Sequence, residues 1–351
     1  MRRFFLFVTL LVPVYASAIV DVENTDAEVF TLSCDLFTRY TIYGERNVIP
    51  DEAFSVRRAS LSAEFKLSGN LDGELQIETR PEGIYLKDCF LYWEPADWAG
   101  LRVGQFKKPF GLNSLTSSWN LLTLDHSLVH WMATDLNYSG RDLGLEVTFS
   151  PPGDYLPELS AGIFNGAALG AEKNNNENQY TARCLFSLPW GVELGGGLSS
   201  LRLGELDPDV PSGYSSSPRQ WCMGADISFT GNVTDDLEIR TATEYVKGPN
   251  WILADVMAGE EAPDFESFWA SCGGLLRLRN VPGLRSLEAN LSYDMIRPDS
   301  SDAKETLVSP VIGVWFSRSV RVRFGACIHA FDNMIALKNY TDYILEAAVR
   351  F

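Results

Sequence analysis

The sequence predicts an all-β chain folded as a 16-stranded antiparallel transmembrane β-barrel with an inward-folded third extracellular loop. Three observations predict it. Short segments alternate between apolar and polar residues, their connections alternate between short and long, and the last segment ends on Phe351. In that segment Tyr343, Leu345, Ala347, Val349 and Phe351 share one face, and Ile344, Glu346, Ala348 and Arg350 share the other. A helix would scatter these residues around its circumference, whereas a strand separates them into two faces.

From the N-terminus, Arg2 and Arg3 precede an apolar stretch from Phe4 to Val14, and Ala16-Ser17-Ala18 supplies a small-x-small cleavage pattern. Residues 1–18 therefore read as a cleavable signal peptide, with the mature chain beginning at Ile19. The stretch is too short to span ~30 Å of hydrocarbon as a helix, and Pro13 interrupts it. Residues 19–34 read as a short N-terminal lead and 35–351 as one outer-membrane barrel domain. No later run reaches the ~18 apolar residues of a membrane helix.

Strands are expected near 35–43, 54–68, 71–80, 84–95, 98–107, 138–150, 158–165, 178–189, 191–203, 219–231, 235–247, 267–279, 284–296, 306–317, 319–331 and 341–351. Their even number suits a single-chain bacterial barrel. Alternation is clear in Ala59-Leu61-Ala63-Phe65-Leu67 against Arg58-Ser60-Ser62-Glu64-Lys66, and in Val320-Val322-Phe324-Ala326-Ile328 against Arg321-Arg323-Gly325-Cys327-His329. Short turns at Ser68-Gly69-Asn70, Pro189-Trp190-Gly191, Gly231–Thr234, Val281-Pro282-Gly283 and Ser317-Arg318-Ser319 alternate with long connections at 204–218, 248–266 and 297–305. Periplasmic turns and extracellular loops alternate in this way, and closure removes the sheet edge that lipid forbids. Trp93, Trp98, Tyr138, Trp190, Tyr245, Trp315 and Tyr343 lie near strand ends, where interfacial girdles are expected.

The formal net charge is −17 and becomes more negative without Arg2 and Arg3, which argues against a nucleic-acid partner. Cys34, Cys89, Cys184, Cys222, Cys272 and Cys327 are scattered one per strand or flank and read mainly as apolar-like thiols, with a bridge left open. No Gly-x-Ser-x-Gly, HExxH or paired-cysteine pattern points to an enzyme, a metal or a cofactor. His126 and His130, four apart beside Asp125 and Asp135, could form a metal or acid–base pair; solvated or packing histidines are the favoured reading.

The connection of about 106–137 is long for a structureless loop and is read as the constriction loop. Its residues Gly104-Gln105-Phe106-Lys107-Lys108-Pro109-Phe110 and Leu115-Thr116-Ser117-Ser118 resemble the phosphate-selective porin O/P family. So do Gly140-Arg141-Asp142-Leu143-Gly144, Phe54-Ser55-Val56-Arg57-Arg58-Ala59-Ser60-Leu61 and Leu86-Lys87-Asp88-Cys89-Phe90-Leu91-Tyr92, and together the words cover about 54–150. The resemblance implies a bacterial outer-membrane porin, usually a homotrimer in outer-membrane lipid. It also implies passive diffusion of small hydrophilic solutes or ions, with anions preferred in the best-known members.

Selectivity in such a pore is local electrostatics. Lys107, Lys108 and Arg141 sit in the loop or at its exit and are the expected anion contacts; their alternative is anchoring the loop base. Arg58, Lys66, Arg102, Arg183, Arg240, Arg277, Arg321 and Arg323 are expected to line the lumen. Carboxylates such as Glu64, Glu78, Glu146, Asp226, Glu288 and Glu346 share those faces, so pairing across the wall is the competing reading. Surplus acid is expected on an extracellular loop, at Glu260, Glu261, Asp264 and Glu266. A general porin, rather than a phosphate-specific one, is the functional expectation. A non-conducting structural or adhesive barrel is the alternative.

Overall fold

The computed structural model describes residues 29–44, 50–167, 169, 177–202, 219–253, 262–279, 281–299, 301–334 and 337–351. The expected signal peptide, much of the lead, and Glu260 and Glu261 lie outside the described residues. The strands are β1 (Val29–Ile42), β2 (Glu52–Ser68), β3 (Leu71–Arg80), β4 (Gly83–Ala96), β5 (Ala99–Lys107), β6 (Arg141–Phe149), β7 (Glu158–Phe164) and β8 (Gln179–Leu188). They continue with β9 (Val192–Leu201), β10 (Gln220–Asn232), β11 (Leu237–Pro249), β12 (Asp264–Arg277), β13 (Ser286–Arg297), β14 (Lys304–Trp315), β15 (Val320–Asp332) and β16 (Tyr340–Arg350).

Each strand pairs antiparallel with its sequence neighbours, and β1 pairs β16 from Asp35↔Arg350 to Ile42↔Tyr343, closing a sixteen-stranded barrel. Cys34 and Phe351 seal the seam with reciprocal backbone bonds of 2.6 and 3.0 Å. Among the described residues no helix is long and apolar enough to cross a membrane, so any crossing belongs to the strands. All six thiols are free.

The two faces follow the alternation. Leu61, Leu75, Leu145, Leu198, Leu291, Phe324 and Leu345 are exposed outward, while Ser62, Glu78, Glu146, Glu288, Ser292, Arg323 and Glu346 are buried inward. An apolar outside on a closed sheet is the surface a bilayer requires. The inner face is not uniformly polar, however. Val246, Phe265, Trp269, Leu201 and Cys222 point inward and form a core with Phe110, Val129, Ala133, Leu136 and Tyr138. These partners come from the connection 108–140, which carries the helices α1 (Leu112–Leu115) and α2 (Leu128–Asp135).

Two strands break strict alternation. The β1–β2 register shifts between Phe37 and Thr38, which leaves Arg57 as an extra residue beside Arg58. The β3–β4 register shifts between Gln76 and Ile77, which leaves Lys87 beside Asp88. A bulge re-aims the chain and lets two consecutive side chains share a face. Both extra residues here are cationic and reach inward partners, Asp125 and Glu78 respectively.

Several sequence expectations are corrected. β1 begins at Val29, so part of the expected lead is strand, paired through Val29↔Lys66 to Cys34↔Leu61. β6 begins at Arg141, and the preceding Tyr138 is fully buried in the inner core, so it belongs to no girdle. Trp315 also turns inward, where its Nε1 donates to Glu288 at 3.0 Å. Trp93, Trp98, Trp190, Tyr245 and Tyr343 are exposed. Asp264 and Glu266 are not loose loop acid: they lie on β12 and pair with Lys247 at 3.5 and 3.2 Å, with Arg297 at 3.7 Å from Glu266.

Candidate pore constriction

The connection 108–140 is tied to the inward-facing side of the wall at many points. Its base closes where Lys108 N–H donates to the Gly140 carbonyl at 2.8 Å. The N–H of Asn113 donates to Glu244 of β11 at 2.9 Å, and the N–H of Leu128 donates to Asp294 of β13 at 2.9 Å. Ser127 caps α2, its Oγ accepting from His130 N–H at 3.1 Å. Trp119 packs edge-on against Phe37 and Trp315, and its carbonyl accepts from Arg321 at 2.7 Å. Asp125 bridges two strands, 2.6 Å from Arg39 and 3.1 Å from Arg57.

This packing fills the side of the interior against β10–β13 and leaves a cavity of about 910 Å³ against β2–β6. Loop residues Ser117, His126 and His130 face wall residues Arg58, Glu78, Lys87, Asp88 and Arg141 across it. Eight cations line it, among them Arg58, Arg80, Lys87, Lys107 and Arg141 beside the loop, against seven carboxylates that include Glu74, Glu78 and Asp88. Glu78 is shared by Arg80 at 2.5 Å and Lys87 at 3.2 Å. Arg141 grips Asp88 with two nitrogens, the shorter contact being 2.6 Å.

Arg58 and Lys107 have neutral partners only. Arg58 donates to Ser118 Oγ and lies over the Phe37 ring at 5.5 Å. Lys107 Nζ donates to the carbonyls of Leu115 and Thr116, both at 3.0 Å. Among the described residues neither has a carboxylate within ion-pair distance. These two are therefore cavity cations held by neutral groups, with the nearest carboxylates acting on them only at longer range.

The other expected lumen cations are mostly braced. Arg102 pairs with Glu146 at 2.9 Å, Arg183 with Asp226 at 2.7 Å and Arg323 with Glu288 at 2.5 Å. Arg240 and Arg277 both hold Glu238. Lys66 lies opposite Asp72 in the β2–β3 register. Arg321 instead sits between the Trp119 and Trp315 rings, at 4.7 and 5.0 Å.

Lys108 departs from its expected role as an anion contact. It is fully buried, with Nζ 2.8 Å from the Asn137 carbonyl, 2.7 Å from Asn137 Oδ1 and 2.9 Å from Gln179 Oε1. Burial pulls its pKa down to about 7, opposed by the nearby Asp142 carboxylate. Lys108 is a strut joining the loop base to β8. Lys108→Met leaves those acceptors without their donor and should cost about 1–3 kcal/mol. The expected readout is a lower temperature for loss of the folded, heat-modifiable gel band, with the ion preference unchanged.

The histidine pair is stacked, with ring centroids 4.1 Å apart. His126 Nδ1 faces the Asn113 carbonyl at 3.1 Å and therefore carries its proton, and His130 Nδ1 meets Ser114 Oγ at 2.8 Å. Burial, with Lys107 and Lys87 adding to it, pulls His130 from 6.5 to about 3, and burial beside His130 holds His126 well below 6.5. Both rings thus stay neutral in the folded barrel across the physiological range. His126→Asn/His130→Asn should leave the reversal potential unchanged at every pH from about 5 to 8, and a transition near an ordinary histidine pKa that this double variant removes would contradict the assignment. Stability should fall as pH drops from 6.5 towards 3, because only the unfolded chain takes up these protons there. A His126→Asn/His130→Asn barrel should lose that part of its acid sensitivity in thermal melts.

Among known proteins, residues 37–197 match the family model Phosphate-selective porin O and P. No curated protein matches the sequence. Solved structures share its fold at low identity. Outer-membrane expressed OmpT of Vibrio cholerae is 11% identical over 94% of this chain and 99% of that one, with a TM-score of 0.61. An anion-selective porin from Comamonas acidovorans is 11% identical over 92% and 98%, with a TM-score of 0.60. The trimer form of in-vitro folded Vibrio cholerae OmpT is 12% identical over 92% and 99%, with a TM-score of 0.55.

Proposed function

We propose, from a barrel whose residues 37–197 carry the phosphate-selective porin O and P pattern, that this protein is a passive diffusion channel of the bacterial outer membrane. The single observation that carries the reading is the cavity of about 910 Å³ between connection 108–140 and the wall of β2–β6. A polar passage of that kind admits small hydrophilic solutes and ions, and the inward connection narrows it. Arg58 and Lys107, the cavity cations without a paired carboxylate, give the narrowing its anion preference, since enclosed charge enriches the opposite ion. An anion-selective porin among the fold relatives supports the sign, and a trimer form of another supports a homotrimer. Residues 1–18 act as the export signal, and the large-loop end faces outward from the cell.

Planar-bilayer recording of the refolded mature chain tests this directly. Stepwise ohmic conductance with a reversal potential on the anion side under a KCl gradient is expected. Absence of steps from a correctly folded barrel would establish a closed structural protein. Chemical cross-linking in detergent should give a three-subunit band.

A further inference from the structure

A second cavity, of about 250 Å³, lies on the opposite side of the interior, between residues 119–122 of the connection and β11–β15. It is near the short-turn end of the barrel, because Arg285 and Arg318 come from the turns after β12 and β14. Its charged lining is five arginines, Arg240, Arg285, Arg318, Arg321 and Arg323, against Glu288 alone. In a chain of net charge −17 that concentration is the strongest local excess of positive charge at either cavity.

The partners show how much of this charge is uncancelled. Glu288 is consumed by Arg323 at 2.5 Å, and Arg240 turns to Glu238. Arg285 and Arg318 are exposed at the rim, and among the described residues no carboxylate pairs with either. Arg321 is 1% exposed, gives one bond to the Trp119 carbonyl, and leaves Nε and Nη2 without a hydrogen-bond partner. Asn290, 7% exposed in the same lining, leaves Nδ2 unpartnered as well.

The orphaned groups at this cavity are thus all donors. Buried donors without partners are costly, and an acceptor-rich anion is the ligand class that would relieve them. Guanidinium groups match planar carboxylates bidentately. The remaining lining includes Leu122, Leu275, Trp119 and Trp315, which would accept a carbon skeleton but gains nothing from a bare inorganic ion. Gly273 keeps the space open, since a Cβ there would run into Asn290 Oδ1.

We propose that this arginine pocket is a binding site for a small organic polycarboxylate, separate from the passage along β2–β6. The proposal does not require that the barrel conduct. The test uses citrate as probe on the full mature barrel refolded in detergent, by titration calorimetry at low ionic strength. Tryptophan fluorescence provides a second readout, because Trp119 and Trp315 line the site. Saturable binding of one citrate per chain is expected, and inorganic phosphate should bind at least about tenfold more weakly.

Arg285→Gln with Arg318→Gln changes only exposed turn residues and should weaken citrate at least about tenfold, with the folded gel band intact. Arg321→Lys keeps the charge but removes the fork and should weaken it comparably. Citrate binding that survives Arg285→Gln/Arg318→Gln lies elsewhere in the lumen and overturns the site. Phosphate binding as tight as citrate overturns the organic-acid class, and no citrate binding by the folded barrel overturns both.

Discussion

Glutamate at both Arg58 and Lys107 should turn the channel from anion-preferring to cation-preferring. The two side chains are the cations of the main cavity whose only hydrogen-bond partners are neutral, Ser118 Oγ for one and the Leu115 and Thr116 carbonyls for the other. Elsewhere along the cavity a cation is matched by a carboxylate within contact distance, as in Arg141 with Asp88. The double substitution changes the cavity lining from eight cations facing seven carboxylates to six cations facing nine carboxylates. Reversal potentials under a KCl gradient should therefore change sign, moving by tens of millivolts. The change should be largest near 0.1 M salt, where the screening length is ~10 Å, and shrink towards 1 M, where it is ~3 Å. Because a carboxylate in place of the Lys107 ammonium would also face two carbonyls, Lys107→Met serves as the control for loop displacement. A double variant that conducts with the wild-type reversal potential would place selectivity outside this cavity.

The barrel was legible because lipid outside and water or loop inside impose a period of two on every strand, and that period needs no tertiary knowledge. The segments around Leu61, Leu291 and Phe324 carry it without interruption. The bulges were not legible. Strict alternation from Arg58 puts Arg57 and Val56 on the wrong faces, yet Val56 is exposed outward and Arg57 reaches Asp125 within the barrel. Lys87 was missed for the same reason, although it joins the main cavity and shares Glu78 with Arg80. The signal left in the sequence is a pair of adjacent charged residues inside an otherwise alternating strand, as in Arg57-Arg58 and Lys87-Asp88.

Sequence also could not divide Lys107 from Lys108. Adjacent residues of one type look equivalent, but the chain turns between them at the end of β5, and only Lys107 lines the cavity. Lys108 points the other way into Asn137 and Gln179. Likewise Tyr138 and Trp315 were drawn to the membrane interface by position, and connection 108–140 recruits both inward. Where α2 packs, the wall presents Phe265 and Trp269 to the interior, so the usual equation of apolar with outward fails locally.

That packing makes the connection a second structure docked inside the first, and its polar tethers can be cut without touching the barrel ladder. Asp125→Ala with Asp294→Ala removes the link to β1 and β2 and the β13 carboxylate that accepts from Leu128 N–H. Asp125 is partly exposed, so its loss costs less than the ~3–5 kcal/mol of breaking a fully buried pair. A hydrogen bond to a buried carboxylate contributes about 1.5–3 kcal/mol. Tethers on different strands should add approximately, giving about 3 kcal/mol for the double variant. Local opening of residues 118–130 should then rise about a hundredfold, read as faster amide exchange there with strand amides unchanged. Single-channel records should show a larger, noisier conductance. Acid should not mimic the Asp125 part until it is severe: enclosure raises that carboxyl, but Arg39 and Arg57 outweigh it and hold it at about 2, below its ordinary 3.8. A depressed carboxylate stabilises docking fully above pH 3.8 and loses that contribution only as pH falls through about 2. The part of any opening at pH 5 that belongs to the two neutral histidines should be abolished by His126→Asn/His130→Asn and kept in Asp125→Ala.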